Sequence, residues 1–258
     1  MKKNESKKPA LSYERKNFWK DAPVQEQKAA MAFAEAYKSF LNEAKTVRET
    51  IAYTEAMLKK HKFVQVGSKG NKVYSIFRNK TIAMAVIGSE PISKGFNMVA
   101  AHIDAPRVDL KQNPLYEDSN SAMACMRTHY YGGIKKYQWV STPLALHGII
   151  IKKDGKKLDV SIGEREDEPV FIIPDLLPHL ARKEQYTKNL ADAIDASRMN
   201  LIFSGMQAPE SDEKEAIKNH ALKLLHDKYG ITETTSCLPS LSLCQPSKHA
   251  MQALTPAW

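Results

Sequence analysis

The chain has 258 residues, 43% of them hydrophobic and 26% charged, with a formal net charge of +9. That is enough apolar material for a sizeable core, yet no run is long and apolar enough to read as a membrane-spanning helix, and the basic N-terminus lacks the apolar centre of a signal peptide. Three cysteines (Cys125, Cys237 and Cys244) make neither a disulfide framework nor a metal-ligand spacing, so a cytoplasmic location is expected.

The positive charge points first to nucleic acid, but its placement argues otherwise. Residues 1–20 hold seven Lys/Arg against Glu5 and Glu14, a net of +5, and the rest of the chain carries only +4 with acids and bases interleaved. No basic-aromatic platform, zinc finger or recognition-helix pattern is present. Residues 1–22 therefore read as a flexible basic tail, and neither a nucleic-acid nor a membrane partner is expected.

Residues 23–62 read as two helices. Phe33, Tyr37, Phe40, Leu41 and Ala44 recur at helical spacing, and Thr46-Val-Arg-Glu49 is a capping-box pattern that opens the second helix, with Ile51, Thr54, Ala56 and Leu58 following. Residues 72–78 and 81–87 form a predicted hairpin across Asn79-Lys80. Met98-Val-Ala-Ala101 reads as a strand buried on both faces that ends at His102. From about Val108 the chain turns β-rich. Residues 146–153 and 157–162 flank Asp154-Gly155, a two-residue hairpin signal, and Leu158, Val160 and Ile162 alternate with polar residues. Residues 170–173 give one more strand. A helix over 212–228 puts Ile217, Ala221, Leu224 and Leu225 on one face; its His220 and His226, six apart, point to different faces and share no metal.

The chemistry-bearing pattern is His102-Ile-Asp-Ala-Pro-Arg107. A His and a carboxylate two apart at a strand's carboxyl edge make half of a metal site, since imidazole suits zinc and a carboxylate can hold the ring. By itself, the pattern is better read as a His that caps a strand and an Asp that opens a turn. His129 and His147 read as structural histidines, Gly132-Gly133 as a tight turn, and Trp139 as packing.

His102-Ile-Asp-Ala-Pro-Arg107 resembles the His-Thr/Ile-Asp-Ser/Ala-Pro segment of the aspartyl aminopeptidase family, which are dinuclear zinc exopeptidases. Tyr130-Tyr-Gly-Gly-Ile-Lys-Lys-Tyr-Gln-Trp139 is similar to that family's Tyr-Gly-Gly…Trp block. Ile173-Pro-Asp-Leu-Leu-Pro-His-Leu-Ala-Arg182 resembles a third, and the likeness runs from about Phe18 to Glu233. It implies an α/β zinc-aminopeptidase catalytic domain, incomplete here over residues 23–107, and interrupted over 108–233 by the β-rich oligomerisation domain that the family inserts. The implied activity is removal of N-terminal residues, acidic ones among them, from peptides by a homo-oligomer that carries two zinc ions per complete subunit. His102 matches the first His metal ligand and Asp104 the carboxylate that orients it. His179 matches a His that reaches into a neighbouring subunit's site to help bind substrate. The remaining ligands of the family, with a Glu-Glu pair, should lie beyond Glu233. No Glu-Glu pair occurs in this sequence.

Residues 234–258 break every pattern: they show no period, contain no acid and hold two of the three cysteines. Back-translated and regrouped so that each codon takes the last base of one codon and the first two of the next, they permit D-D-F-L-S-A-E-L-E-F-V-P-A-E-Q-A-R-D-A-G-F-D-P-S-L. This string alternates as a half-buried strand should, and it resembles what the family places after Tyr229-Gly-Ile-Thr-Glu233. The expectation is an out-of-frame tail in which Cys237, Cys244 and His249 carry no meaning, on a truncated and inactive form of the enzyme. The alternative is a non-catalytic product able at most to oligomerise.

Overall fold

The computed structural model describes Tyr13, residues 15–152, 154–206, 214–232 and 240–244, and Pro246. Most of the basic tail (1–12 and 14), Cys237 and His249 lie outside the described residues. Packing divides the chain into two compact units, residues 1–41 and 42–258.

Within the first unit, Asn17 accepts from the Trp19 amide and caps a short helix, α1 (Phe18–Asp21), in what the sequence suggested was tail. Helix α2 (Val24–Glu43) follows. Its apolar residues lie at the predicted spacing, yet none is buried, and Phe33 and Tyr37 are exposed.

The second unit opens with α3 (Val47–Lys60), where the capping box forms as the sequence predicts. The Thr46 hydroxyl accepts from the Glu49 amide, and the Glu49 carboxylate accepts from the Thr46 amide at 2.7 Å. Two of the four orphan donors of the helix start are thereby satisfied. Ile51 and Leu58, seven residues apart and so on one face, are buried. The strands β1 (Val64–Gln65), β2 (Lys72–Phe77) and β3 (Thr81–Val86) form a three-stranded sheet, β1 parallel and β3 antiparallel to β2. Arg78 and Asn79 turn the hairpin in the left-handed region, and buried Tyr74 donates its hydroxyl to Glu55 on α3 at 3.0 Å.

The predicted strand at 98–102 does not form. Residues 96–106 have no regular structure, Met98 and Val99 are exposed, and His102 stands on an open loop. A strand buried on both faces needs a ladder partner on each side and layers above and below. Among the described residues nothing supplies them.

The β-rich part is a six-stranded, all-antiparallel sheet with strand order β7-β6-β9-β4-β5-β8. Its strands are β4 (Arg107–Asp118), β5 (Met123–Tyr131), β6 (Ala145–Ile151), β7 (Lys157–Ile162), β8 (Leu201–Ser204) and β9 (Ser240–Cys244). The β6–β7 hairpin turns at Asp154-Gly155 as predicted, with Gly155 at φ +79°. Residues 170–173 contribute only isolated bridges, Phe171 to Leu144 and Ile172 to Ile202.

The tail departs most from expectation. Residues 240–244 do alternate, and they form the strand between β4 and β6, with Leu241 and Leu243 buried. Burial of each leucine contributes about 1.5–3 kcal/mol, enough to seat a short polar-flanked segment. Across the sheet, Val108, Leu243 and Leu146 stand side by side in register in the core. The neighbouring row, Asp109, Ser242 and His147, is polar.

Two short helices, α4 (Pro178–Glu184) and α5 (Leu190–Ala193), precede helix α6 (Ala216–Tyr229), which packs Ile217 and Ala221 against Ala124, and Leu225 and Tyr229 against the main core; Leu224 is exposed. Glu117 of β4 accepts from the amides of Ile217 and Lys218, both at 3.0 Å, a carboxylate placed where the helix start presents free N–H groups.

Candidate functional site

The structure sets His102 beside Asp104, but the ring's hydrogen-bond partner is the Asp104 backbone carbonyl and not the expected carboxylate. The ring Nδ1 lies 2.8 Å from the Asp104 carbonyl oxygen and 3.4 Å from its carboxylate, which turns Nε2 away from Asp104. The Tyr131 hydroxyl donates to the Asp104 carboxylate at 2.9 Å. That bond holds Asp104 below the ordinary carboxylate range and, from the other side, pushes the Tyr131 phenol up. Arg107 lies over the Tyr131 ring, 4.1 Å from its centroid, and donates through Nε to Asp109 at 2.9 Å. Gly132, at φ +73°, turns the chain after β5 with Pro106 3.6 Å from where a Cβ would stand. The loop bearing His102 is thus pinned at its C-terminal side, by Tyr131 and Arg107, while its N-terminal side is open.

His179 sits in the first turn of a short helix, α4 (Pro178–Glu184). Pro178 begins that helix because its missing N–H is no loss there and its fixed φ suits a helix. The His179 side chain is exposed and is joined to neither His102 nor Asp104 by a hydrogen bond or ion pair among the described residues.

Zinc can be tested against these donors. His102 presents one imidazole whose orientation suits a metal ligand, with a carboxylate behind its ring. A catalytic zinc typically takes three protein ligands, and a pair of ions takes more. Among the described residues no further His, Cys, Asp or Glu gathers with His102 into such a set. The described residues do not by themselves hold a dinuclear centre.

Sequence reasoning missed the second polar centre. His147, buried at 5% exposure, is held between Glu49 of α3 (Nδ1 to Oε1, 2.8 Å) and Glu164 after β7 (Nε2 to Oε1, 2.8 Å). Burial disfavours the charged ring, but the Cys244 sulfur and the Glu49 carboxylate outweigh it and push His147 up to about 10. Burial likewise opposes ionisation of Glu49, and His147 together with Thr46 holds it below its ordinary value. His147 and Glu49 are 98 residues apart, so no local spacing could reveal the pair.

The model of the family described as Aminopeptidase I zinc metalloprotease (M18) matches residues 40–250. The chain belongs to this family. It is 40% identical over 232 residues to the "Probable M18 family aminopeptidase 1" of Clostridium acetobutylicum, covering 86% of this chain and 49% of that protein. The crystal structure of an M18 aminopeptidase from Thermotoga maritima superposes with a TM-score of 0.80 at 37% identity, over 92% of this chain and 51% of that one. A structure described as the S. cerevisiae mApe1 dodecamer shares the fold at 18% identity (TM-score 0.56), over 83% of this chain and 48% of that one. The chain spans about half the length of these M18 relatives.

Proposed function

We propose that this chain is the N-terminal half of a zinc aminopeptidase that removes N-terminal residues, acidic ones among the candidates, from peptides. The observation that carries the reading is His102: its Nδ1 is held by Asp104, and its Nε2 is left for a metal, on a chain of M18 type. In the complete enzyme His102 is a first metal ligand of a two-zinc centre. Asp104 fixes its tautomer, and Tyr131 steadies Asp104. His179 acts across a subunit boundary in a homo-oligomer built through residues 108–233, with residues 23–107 as the first part of the catalytic domain. The cytoplasm is the compartment that suits this reading.

The 258-residue form is proposed to be inactive, since it brings one ligand of the set. Residues 234–258 are read as out of frame. The string permitted in the other frame puts leucine at 241, phenylalanine at 243 and valine at 244, so that reading is compatible with apolar core positions in β9. A non-catalytic product that only assembles is the second reading.

Two measurements test this. Genomic sequence past the last codon should continue in the other frame with a Glu-Glu pair and further Asp and His codons. In a full-length version, His102→Ala should abolish peptidase activity and reduce bound zinc; full occupancy with normal turnover would overturn the assignment.

A further inference from the structure

Besides the His102 loop, one group of side chains has the makings of a ligand set. His147, Glu164 and Cys244 each offer one donor atom, and the three atoms all lie within 4.8 Å of one another, with the Cys244 thiol donating to the Ala145 carbonyl at 3.8 Å. They come from β6, from the turn after β7 and from β9. Because β9 pairs with β6 from Ala145↔Cys244 to Ile149↔Ser240, the sulfur is brought beside the histidine by backbone register rather than by a mobile loop. We propose that these three residues form a binding site for a divalent cation of borderline softness, zinc being the best match.

Donor chemistry supports this. An imidazole nitrogen, a thiolate and a carboxylate are the three ligand types zinc accepts, at about 2.0–2.3 Å, with a water completing a tetrahedron. Two donors each about 2 Å from a tetrahedral ion stand about 3.3 Å apart. The Nε2–Oε1 separation of 2.8 Å therefore needs to widen only slightly. The other ring nitrogen already has what a zinc-bound histidine uses: Nδ1 faces the Glu49 carboxylate, which fixes the tautomer and raises the basicity of Nε2. Without metal the same place is held by a proton on Nε2, shared with Glu164. On binding, M²⁺ displaces that proton and the Cys244 thiol proton, and both go to solvent.

The proposal concerns this chain as it stands and does not depend on the peptidase reading. The string permitted in the other frame has valine at 244 and would take the sulfur from the site, so Cys244→Val imitates that change. Cobalt(II), titrated into the full 258-residue chain, is the probe. One equivalent should bind with a thiolate-to-cobalt charge-transfer band and release of protons. The band should vanish in Cys244→Ser and Cys244→Val, survive in a Cys125→Ser/Cys237→Ser double variant, and persist in Glu49→Gln with affinity lowered about 10- to 100-fold. Zinc should raise the urea midpoint of the parent chain and leave that of Cys244→Ser unmoved. Absence of the band in the parent chain, or its survival in Cys244→Ser, would overturn the site and leave a purely ionic Glu–His–Glu bridge.

Discussion

A buried imidazole between two carboxylates ties stability to pH in a definite direction. His147 is faced by Glu49 from α3, Glu164 from the turn after β7 and Cys244 from β9, with Asp109 and Ser242 further along the same polar row. Its folded value of about 10 exceeds the ordinary 6.5. The stabilisation is therefore complete below pH 6.5 and drains as pH rises from there through about 10. Glu49 works the other way. Its folded value lies below 4.5, so its contribution is present above that pH and is lost as pH falls through the lowered value. In metal-free chain, urea unfolding should thus be most resistant between these limits, and His147→Gln should flatten the alkaline decline. A decline unchanged in His147→Gln would show that the ring is neutral in the fold.

Element by element, what was legible in the sequence was what local chemistry determines. Thr46 and Glu49 sit three apart, so both halves of the capping box are visible in a four-residue window, and the β6–β7 hairpin announces itself at Asp154-Gly155. Thr46→Ala should cost about 1 kcal/mol of stability in urea titration. The β4–β5 hairpin, longest in the sheet, gave no such signal. Its alternation is interrupted by a register shift between Leu110 and Leu115, where Asn113 takes φ +47° and Pro114 cannot donate to a ladder. Residues 98–101 misled for the opposite reason. Their apolar run describes the environment of a buried strand, and burial depends on partners that no described part of this chain provides. Strand β9 was missed because five residues inside a patternless tail carry little information without their neighbours. Its place is decided by β4 and β6, which leave a gap that only an alternating segment fills. Leu243→Ala should accordingly lower stability by about 2–5 kcal/mol, as a fully buried leucine does. Leu224→Ala, at an exposed position of α6, should stay within about 0.5 kcal/mol. Equal effects from the two would remove β9 from the core.

For the whole molecule the consequence lies in what is left uncovered. Phe77 and Val86 on the small sheet, and Phe96, Met98 and Val99 on the loop that leads to His102, are all more than 60% exposed. Large apolar side chains left exposed in this number mark places where other protein belongs, or else a route to aggregation. The His102 side of the chain is where ligands are short, and it is also where apolar residues lack a cover. Both shortages have one explanation if the second half of an M18 subunit packs there and brings the remaining donors. Expressing the 258-residue chain beside a version with the frame restored after Glu233 separates the alternatives. The restored chain should be soluble, bind about two zinc ions as a two-metal mechanism requires, and cleave N-terminal residues. The 258-residue chain should show no peptidase activity and be more readily aggregated or proteolysed than the restored chain. Within the restored enzyme, mixing His179→Ala subunits with His102→Ala subunits should recover part of the activity, because a mixed oligomer can pair an intact metal site with an intact partner histidine. No recovery in oligomers shown to be mixed would place His179 within its own subunit's site or outside the reaction. Peptidase turnover by the 258-residue chain alone would overturn both the frame argument and the placement of the missing ligands beyond Glu233.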